Sequence, residues 1–176
     1  MSTFAIAAMI NRGVSELPDG EAFVNVGVWH GFTLLSAMID NPEKVCIGVD
    51  NFTEFGGPRA AFTERFHHCK TESHFFYDMG YREYFTRFHK SPIGFYIYDG
   101  GHSYDDQIVG LQLAEPFFSE NCIVLVDDTN WDAPRKATEE FMLRSSNKYA
   151  VLLDETTYCN KHPTFWNGVM VLRRIG

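Results

Sequence analysis

Apolar runs that end in aspartate recur along this chain, each separated from the next by a stretch with helical spacing. VCIGVD ends at Asp50, GFYIYD at Asp99, CIVLVDD at Asp127 and Asp128, and VLLD at Asp154. Runs this apolar offer no face to water, so they belong in a sheet covered on both sides. Strands joined through helices lie parallel, because the chain must cross back before the next strand begins. Parallel order brings Asp50, Asp99, Asp127 and Asp128 to one carboxyl-end rim, the edge where open sheets of this kind bind ligands. Asp154 lies at the far side of the expected sheet and is read as the start of a solvated loop.

The spacing predicts helices over 3–14, 33–39, 58–68, 81–89, 103–113 and 132–143, with strands at 23–28, 45–49, 74–77, 94–98, 122–126, 149–153 and 168–173. Local chemistry marks several boundaries. Pro58 suits the first turn of a helix, Ser103 is a good N-cap, Pro116 stops the helix before it, and Asp132 offers an N-cap with Pro134 just inside. Tyr81, Tyr84, Phe85 and Phe88 recur at helical spacing and read as a buried face. The stretch DETTYCNKHPTFWN has no helical periodicity, so the final strand is expected to return antiparallel. The result is an α/β fold in three layers, a mostly parallel seven-stranded sheet with its last strand antiparallel. At 176 residues the chain fits one domain, 1–176, with one site.

Charge and cysteine usage narrow the function classes. A formal net charge of -8 with scattered Lys and Arg opposes a nucleic-acid surface, which needs a basic stripe to track phosphates. A cation or a small molecule is the expected partner. No apolar run reaches membrane-spanning length, and the N-terminus lacks the basic region of a signal peptide. Cys46, Cys69, Cys122 and Cys159 contain no CxxC pair and are read as free thiols of a cytoplasmic protein. Consecutive His67, His68 and Cys69 diverge around a helix and do not form a zinc set.

Two blocks carry the chemistry. In NVGVWHG, Gly27 and Gly31 turn a strand into a helix, and bare backbone there admits a ligand, although neither GxGxxG nor GK[ST] is present. Asp50 stands nineteen residues past Gly31, the approximate distance at which an acid meets ribose hydroxyls in nucleotide-binding βαβ units. The second block is DGGHSYDD with VDDTNW, where Asp99, Asp127 and Asp128 would repel one another unless a proton, a cation or a cationic ligand neutralises them. Such an all-oxygen set suits Mg²⁺, Mn²⁺ or Ca²⁺. His102 begins a helix, where the dipole favours the neutral ring that a general base requires. A phosphotransfer site is disfavoured, since no strand-end lysine accompanies the acids.

Together FVNVGVWHGFT, VCIGVDNF, IGFYIYDGGHSYDDQ and CIVLVDDTNW resemble class I S-adenosylmethionine (SAM)-dependent methyltransferases with a Rossmann-like sheet. DGGHSY and DDTNW are most similar to metal-dependent small-molecule O-methyltransferases, the macrocin and novobiocin sugar-methylating group among them. The resemblance implies that Asn25, Gly27 and Gly31 line SAM, that Asp50 holds its ribose, that Phe52 packs on adenine and that Asp99 sits beside the methionine end. It implies Mg²⁺ on Asp99, Asp127 and Asp128, with Asp99 and His102 catalytic and a small-molecule hydroxyl as acceptor. Asn25 stands where the family usually has an acid and Gly101 where sugar-methylating members have a base. An alternative reading therefore keeps SAM binding without catalysis, as an accessory protein. The short segment before the first strand leaves acceptor recognition to Trp131, to the loop at 157–166 or to a second subunit of a homo-oligomer.

Overall fold

A computed structural model describes residues 2–175, and it arranges the predicted alternation into a seven-stranded sheet of order β3-β2-β1-β4-β5-β7-β6. The elements are α1 (Phe4–Ser15), β1 (Ala22–Val26), α2 (Phe32–Met38), β2 (Val45–Asp50), α3 (Arg59–Cys69), β3 (His74–Asp78) and α4 (Tyr81–Arg87). They continue with β4 (Ile93–Tyr98), α5 (Tyr104–Ala114), β5 (Phe118–Asp127), α6 (Asp132–Arg144), β6 (Lys148–Glu155) and β7 (Val169–Ile175). β1 to β5 pair in parallel, while β7 runs antiparallel between β5 and β6. Among the described residues no helix is long and apolar enough to cross a membrane.

Strand alternation divides the core into two layers. In β4, Ile93, Tyr96 and Tyr98 face the cluster under α4, α5 and α6, whereas Phe95 and Ile97 face the one under α1, α2 and α3. Both central strands, β1 and β4, are buried along their whole length, which is why they read as continuous apolar runs. Two helix glycines let aromatic rings of β4 approach from opposite sides. A Cβ on Gly110 would lie 2.0 Å from the Tyr98 ring, and one on Gly13 would lie 2.5 Å from Phe95.

Boundaries differ from expectation where local chemistry intervenes. β1 stops at Val26 because Gly27 turns to φ +82 and leaves the sheet. β5 begins at Phe118, ahead of the apolar run, because Phe118 already pairs with Ile93, and the register shifts across the polar residues before resuming at Ile123. Ser103 caps α5, its hydroxyl accepting from the Asp106 amide at 3.0 Å. At α6 the cap position belongs to Trp131. Asp132 is the first helical residue, and its carboxylate pairs with Lys136 at 2.8 Å. Asp154 lies inside β6, where Arg135 grips both its oxygens at 2.8 and 3.0 Å. All four cysteines are free, and Cys46 and Cys122 are buried in their strands.

Candidate functional site

The order reverses between β1 and β4, so the chain leaves these two neighbours toward opposite faces and opens a crevice between their tips. Gly27 sits at that point. A Cβ there would fall 1.9 Å from the Asp99 carbonyl oxygen, so glycine is what allows the two tips to approach. Gly31, at φ +92, starts α2, and a Cβ on it would press to 2.9 Å from the Phe62 ring. Asn25 is fully buried behind the turn. Its Oδ1 accepts from the Thr33 hydroxyl at 2.6 Å and its Nδ2 donates to the Gly27 carbonyl at 3.1 Å. A neutral amide supplies both a donor and an acceptor here, which a carboxylate does not.

Asp50 closes the turn from the other side. Oδ2 accepts from the Val28 and Trp29 amides, both at 2.9 Å, and Oδ1 accepts from the Phe52 amide at 2.7 Å. The carboxylate thus shapes the loops after β1 and β2 and retains a lone pair on Oδ1 for a ligand. A cleft of about 300 Å³ follows, with Gly27, Asp50, Phe52, Tyr81, Asp99 and Gly100 in its walls. Asn25 and Gly31 lie behind the wall and shape it. Phe52 is 8% exposed, packed at 5.6 and 5.7 Å from the Phe62 and Phe76 rings, with the Arg59 guanidinium 5.5 Å above it. It lines the cleft and serves the core as well. Trp29 Nε1 donates to the Phe55 carbonyl at 2.9 Å, holding the loop after β2 along the cleft mouth. Tyr81, read as core, also reaches the cleft, its hydroxyl donating to Asp106 Oδ1 at 3.2 Å.

Beyond the cleft the acids gather. Ligand atoms of Asp99, His102 and Asp128 lie within 4.8 Å of one another. Asp127 stands behind them, 5% exposed, with Oδ1 accepting from the Asp128 amide at 3.0 Å. Burial and the charge of Asp127 raise the Asp99 carboxyl well above the usual carboxylate range. Burial and the neighbouring Asp128 push Asp127 up to about 7. These carboxyls cannot all be charged without a compensating proton or cation. Asp99 and Asp128 with an imidazole nitrogen fit a divalent cation, though as an O,O,N set rather than an all-oxygen one.

The pKa of His102 moves opposite to the lowering expected at a helix start. Burial opposes its charge, but the hydrogen bond and charge of Asp128, whose Oδ2 is 2.7 Å from Nε2, raise its pKa overall. The contact outweighs the weak dipole of the first turn. The ring lies between Phe55, 5.5 Å away, and Trp131, 5.0 Å away.

Sequence reasoning missed two supports of this centre. Arg135 links Asp154 to the loop after β5, its Nε donating to the Thr129 carbonyl at 2.9 Å. Asn167 donates from Nδ2 to Asp128 Oδ1. Both act across the β5-β7-β6 arrangement, and neither sits in a local pattern. An Asn before a turn glycine, as in Asn167-Gly168, was the only trace, and it reads first as a turn.

Residues 24–129 match a family model described as "Methyltransferase domain". No protein of curated function matches the chain in sequence. A protein from Corynebacterium glutamicum superimposes with a TM-score of 0.74 at 12% identity, over 100% of this chain and 83% of its own. CalS11, a TDP-rhamnose 3'-O-methyltransferase of calicheamicin biosynthesis, gives a TM-score of 0.66 at 18% identity, over 95% of this chain and 77% of its own. A cofactor-bound protein from MTB gives 0.66 at 10% identity, over 96% and 88%. At these identities the structural likeness speaks to the fold.

Proposed function

This chain belongs to the methyltransferase-domain family, and we propose that it moves the methyl group of SAM to a hydroxyl of a small-molecule acceptor with the assistance of Mg²⁺. The observation that carries the reading is spatial: the cleft beside the Gly27 turn reaches Asp99, which groups with His102 and Asp128. A methyl donor lying in the cleft would thus end where proton-handling groups begin.

In this reading the free lone pair of Asp50 Oδ1 takes a ribose hydroxyl, and Phe52 meets the adenine. The bare backbone at Gly27 lets the cofactor approach the sheet, and Asp99 sits at the methionine end beside the sulfonium. The acceptor oxygen attacks the methyl carbon in line with the breaking bond to sulfur, which leaves as a neutral thioether. Holding the two partners in that line supplies most of the acceleration. The hydroxyl proton passes to the Asp128 carboxylate, whose Oδ2 lies 2.7 Å from His102 Nε2, and His102, donating to that oxygen, holds the carboxylate in place for the transfer. A cation held by Asp99 and Asp128, with Asp127 behind them, would lower the pKa of the acceptor hydroxyl.

The family assignment and the convergence of Asp99, His102 and Asp128 favour an enzyme over an accessory role. The neutral Asn25 is accounted for by its own hydrogen bonds. Calorimetry with SAM and S-adenosylhomocysteine tests the cofactor assignment, and absence of binding by both would end it. Thermal-shift measurements with SAM, with and without Mg²⁺, test the cation, since a ligand that binds the native state raises its stability.

A further inference from the structure

Asp128 occupies the left-handed region at φ +59, a conformation that is strained for a residue bearing a Cβ and persists where its surroundings hold it. The segment between β6 and β7 surrounds it with bonds. The Asn130 amide donates to the Asn167 carbonyl at 2.7 Å, and the Thr129 amide to the Gly168 carbonyl at 3.4 Å. The Asn130 side chain donates to Thr157 Oγ1 at 2.8 Å and accepts from the Thr157 amide at 3.0 Å. Asn167 itself is 5% exposed. Its Oδ1 accepts from the Lys161 amide at 2.8 Å, and a backbone N–H can only donate, so the side-chain orientation is determined. The oxygen faces Lys161 and the nitrogen faces Asp128 Oδ1.

We infer that Asn167 is a positioning residue for methyl transfer: its amide nitrogen fixes Asp128 so that Oδ2 points at His102, which makes the segment between β6 and β7 part of the reaction centre. The inference rests on reading Asp99, His102 and Asp128 as that centre. Without the amide nitrogen, Oδ1 becomes a buried carboxylate oxygen with no side-chain donor, close behind the like charge of Asp127. The side chain then has reason to rotate, and the contact with His102 goes with it.

Asn167→Asp separates positioning from simple loop anchorage. It keeps an oxygen for the Lys161 amide and sets an oxygen, rather than a donor, against Asp128. Asn130→Ala loosens the same segment at Thr157 without touching Asp128. Asn167→Ala, which adds no like charge, serves if the aspartate variant does not fold. Each protein is examined at fixed pH by imidazole NMR, with the His102 signals assigned through His102→Gln. SAM affinity is measured by calorimetry, and turnover with whichever phenolic or glycoside probe the wild type methylates. The expected result is displaced His102 signals and kcat lowered about tenfold or more in the Asn167 variants, as for other groups that orient a reacting side chain, with SAM affinity retained. Asn130→Ala should keep the wild-type His102 signals. The inference is overturned if the Asn167 variants retain those signals, or if Asn130→Ala reproduces their effect. Failure of the wild type to bind SAM would defeat the cofactor assignment instead, and the NMR comparison would still judge Asn167.

Discussion

Asp50 offers the sharpest separation between a ligand-binding acid and a structural one. Its carboxylate takes three backbone N–H groups, two on Oδ2 and one on Oδ1. Asp50→Asn preserves shape and removes half of that accepting capacity. In the better rotamer the amide oxygen keeps Val28 and Trp29, and the amide nitrogen then confronts the Phe52 N–H, donor against donor. The flipped rotamer loses two bonds instead of one. Losing one charge-assisted bond costs about 1.5–3 kcal/mol. Unfolding entropy near the midpoint is roughly 2.1 cal/mol/K per residue, or about 0.37 kcal/mol/K for a chain this long. The ligand-free variant should therefore melt about 4–8 °C below wild type, measured by scanning calorimetry at neutral pH. An acid that served only the ribose would leave the ligand-free melting temperature within about 1 °C while weakening SAM binding. That outcome would refute the structural role derived for Asp50.

Three further expectations concern other parts of the molecule. Gly110→Ala drives a methyl into the Tyr98 ring, 2.0 Å from where its Cβ must sit. It should lose about 1–3 kcal/mol in urea titrations, part of it recovered when Tyr98→Leu is added, and an unchanged midpoint would contradict the packing described. Buried His89 accepts from the Tyr84 hydroxyl at Nδ1 and donates to the Ser91 carbonyl from Nε2, at 2.7 and 2.8 Å, and burial lowers its pKa. Because the unfolded ring binds its proton near pH 6.5 and the folded ring only at lower pH, stability is full above that value. It falls as pH drops through 6.5 toward the folded pKa. His89→Gln should make urea stability less steep between pH 7.5 and 5.5, and an unaltered slope would show that His89 does not contribute. Trp29→Phe removes the bond to the Phe55 carbonyl and should weaken S-adenosylhomocysteine binding about 2–10-fold by calorimetry, the equivalent of one ordinary hydrogen bond. Unchanged affinity would mean that the loop after β2 does not close on the cofactor.

What could be read from the amino acids alone followed the range of the interactions involved. β2 and β4 were visible because each is a self-contained apolar run, and α5 because Ser103 declares its own start. The Gly27 turn and Asp50 were recognised as neighbours in a ligand site, but nothing in their spacing showed that the carboxylate spends itself on three amides. Asp127, Asp128 and Asp99 were seen as a group. Which of them meets His102 follows from Asp128 standing at positive φ with its carboxylate bonded to Asn167, thirty-nine positions away. Asp154 was misjudged for the same reason, since its partner Arg135 belongs to α6 and meets it only when β6 takes its place. The raised pKa of His102 also required the fold, because the local rule about helix starts gave one answer and Asp128, at the end of another strand, gave the other.

β7 is made after β6 yet lodges between β5 and β6, which sets a timetable. During folding β6 has no correct place on the growing sheet, because docking beside β5 would fill the slot that β7 must take. Pairings between segments so far apart in the chain close slowly. The bonds that hold Asp128, Asn130 and Thr157 together come from that closing step, so a chain whose last strand has not yet docked has no anchored Asp128.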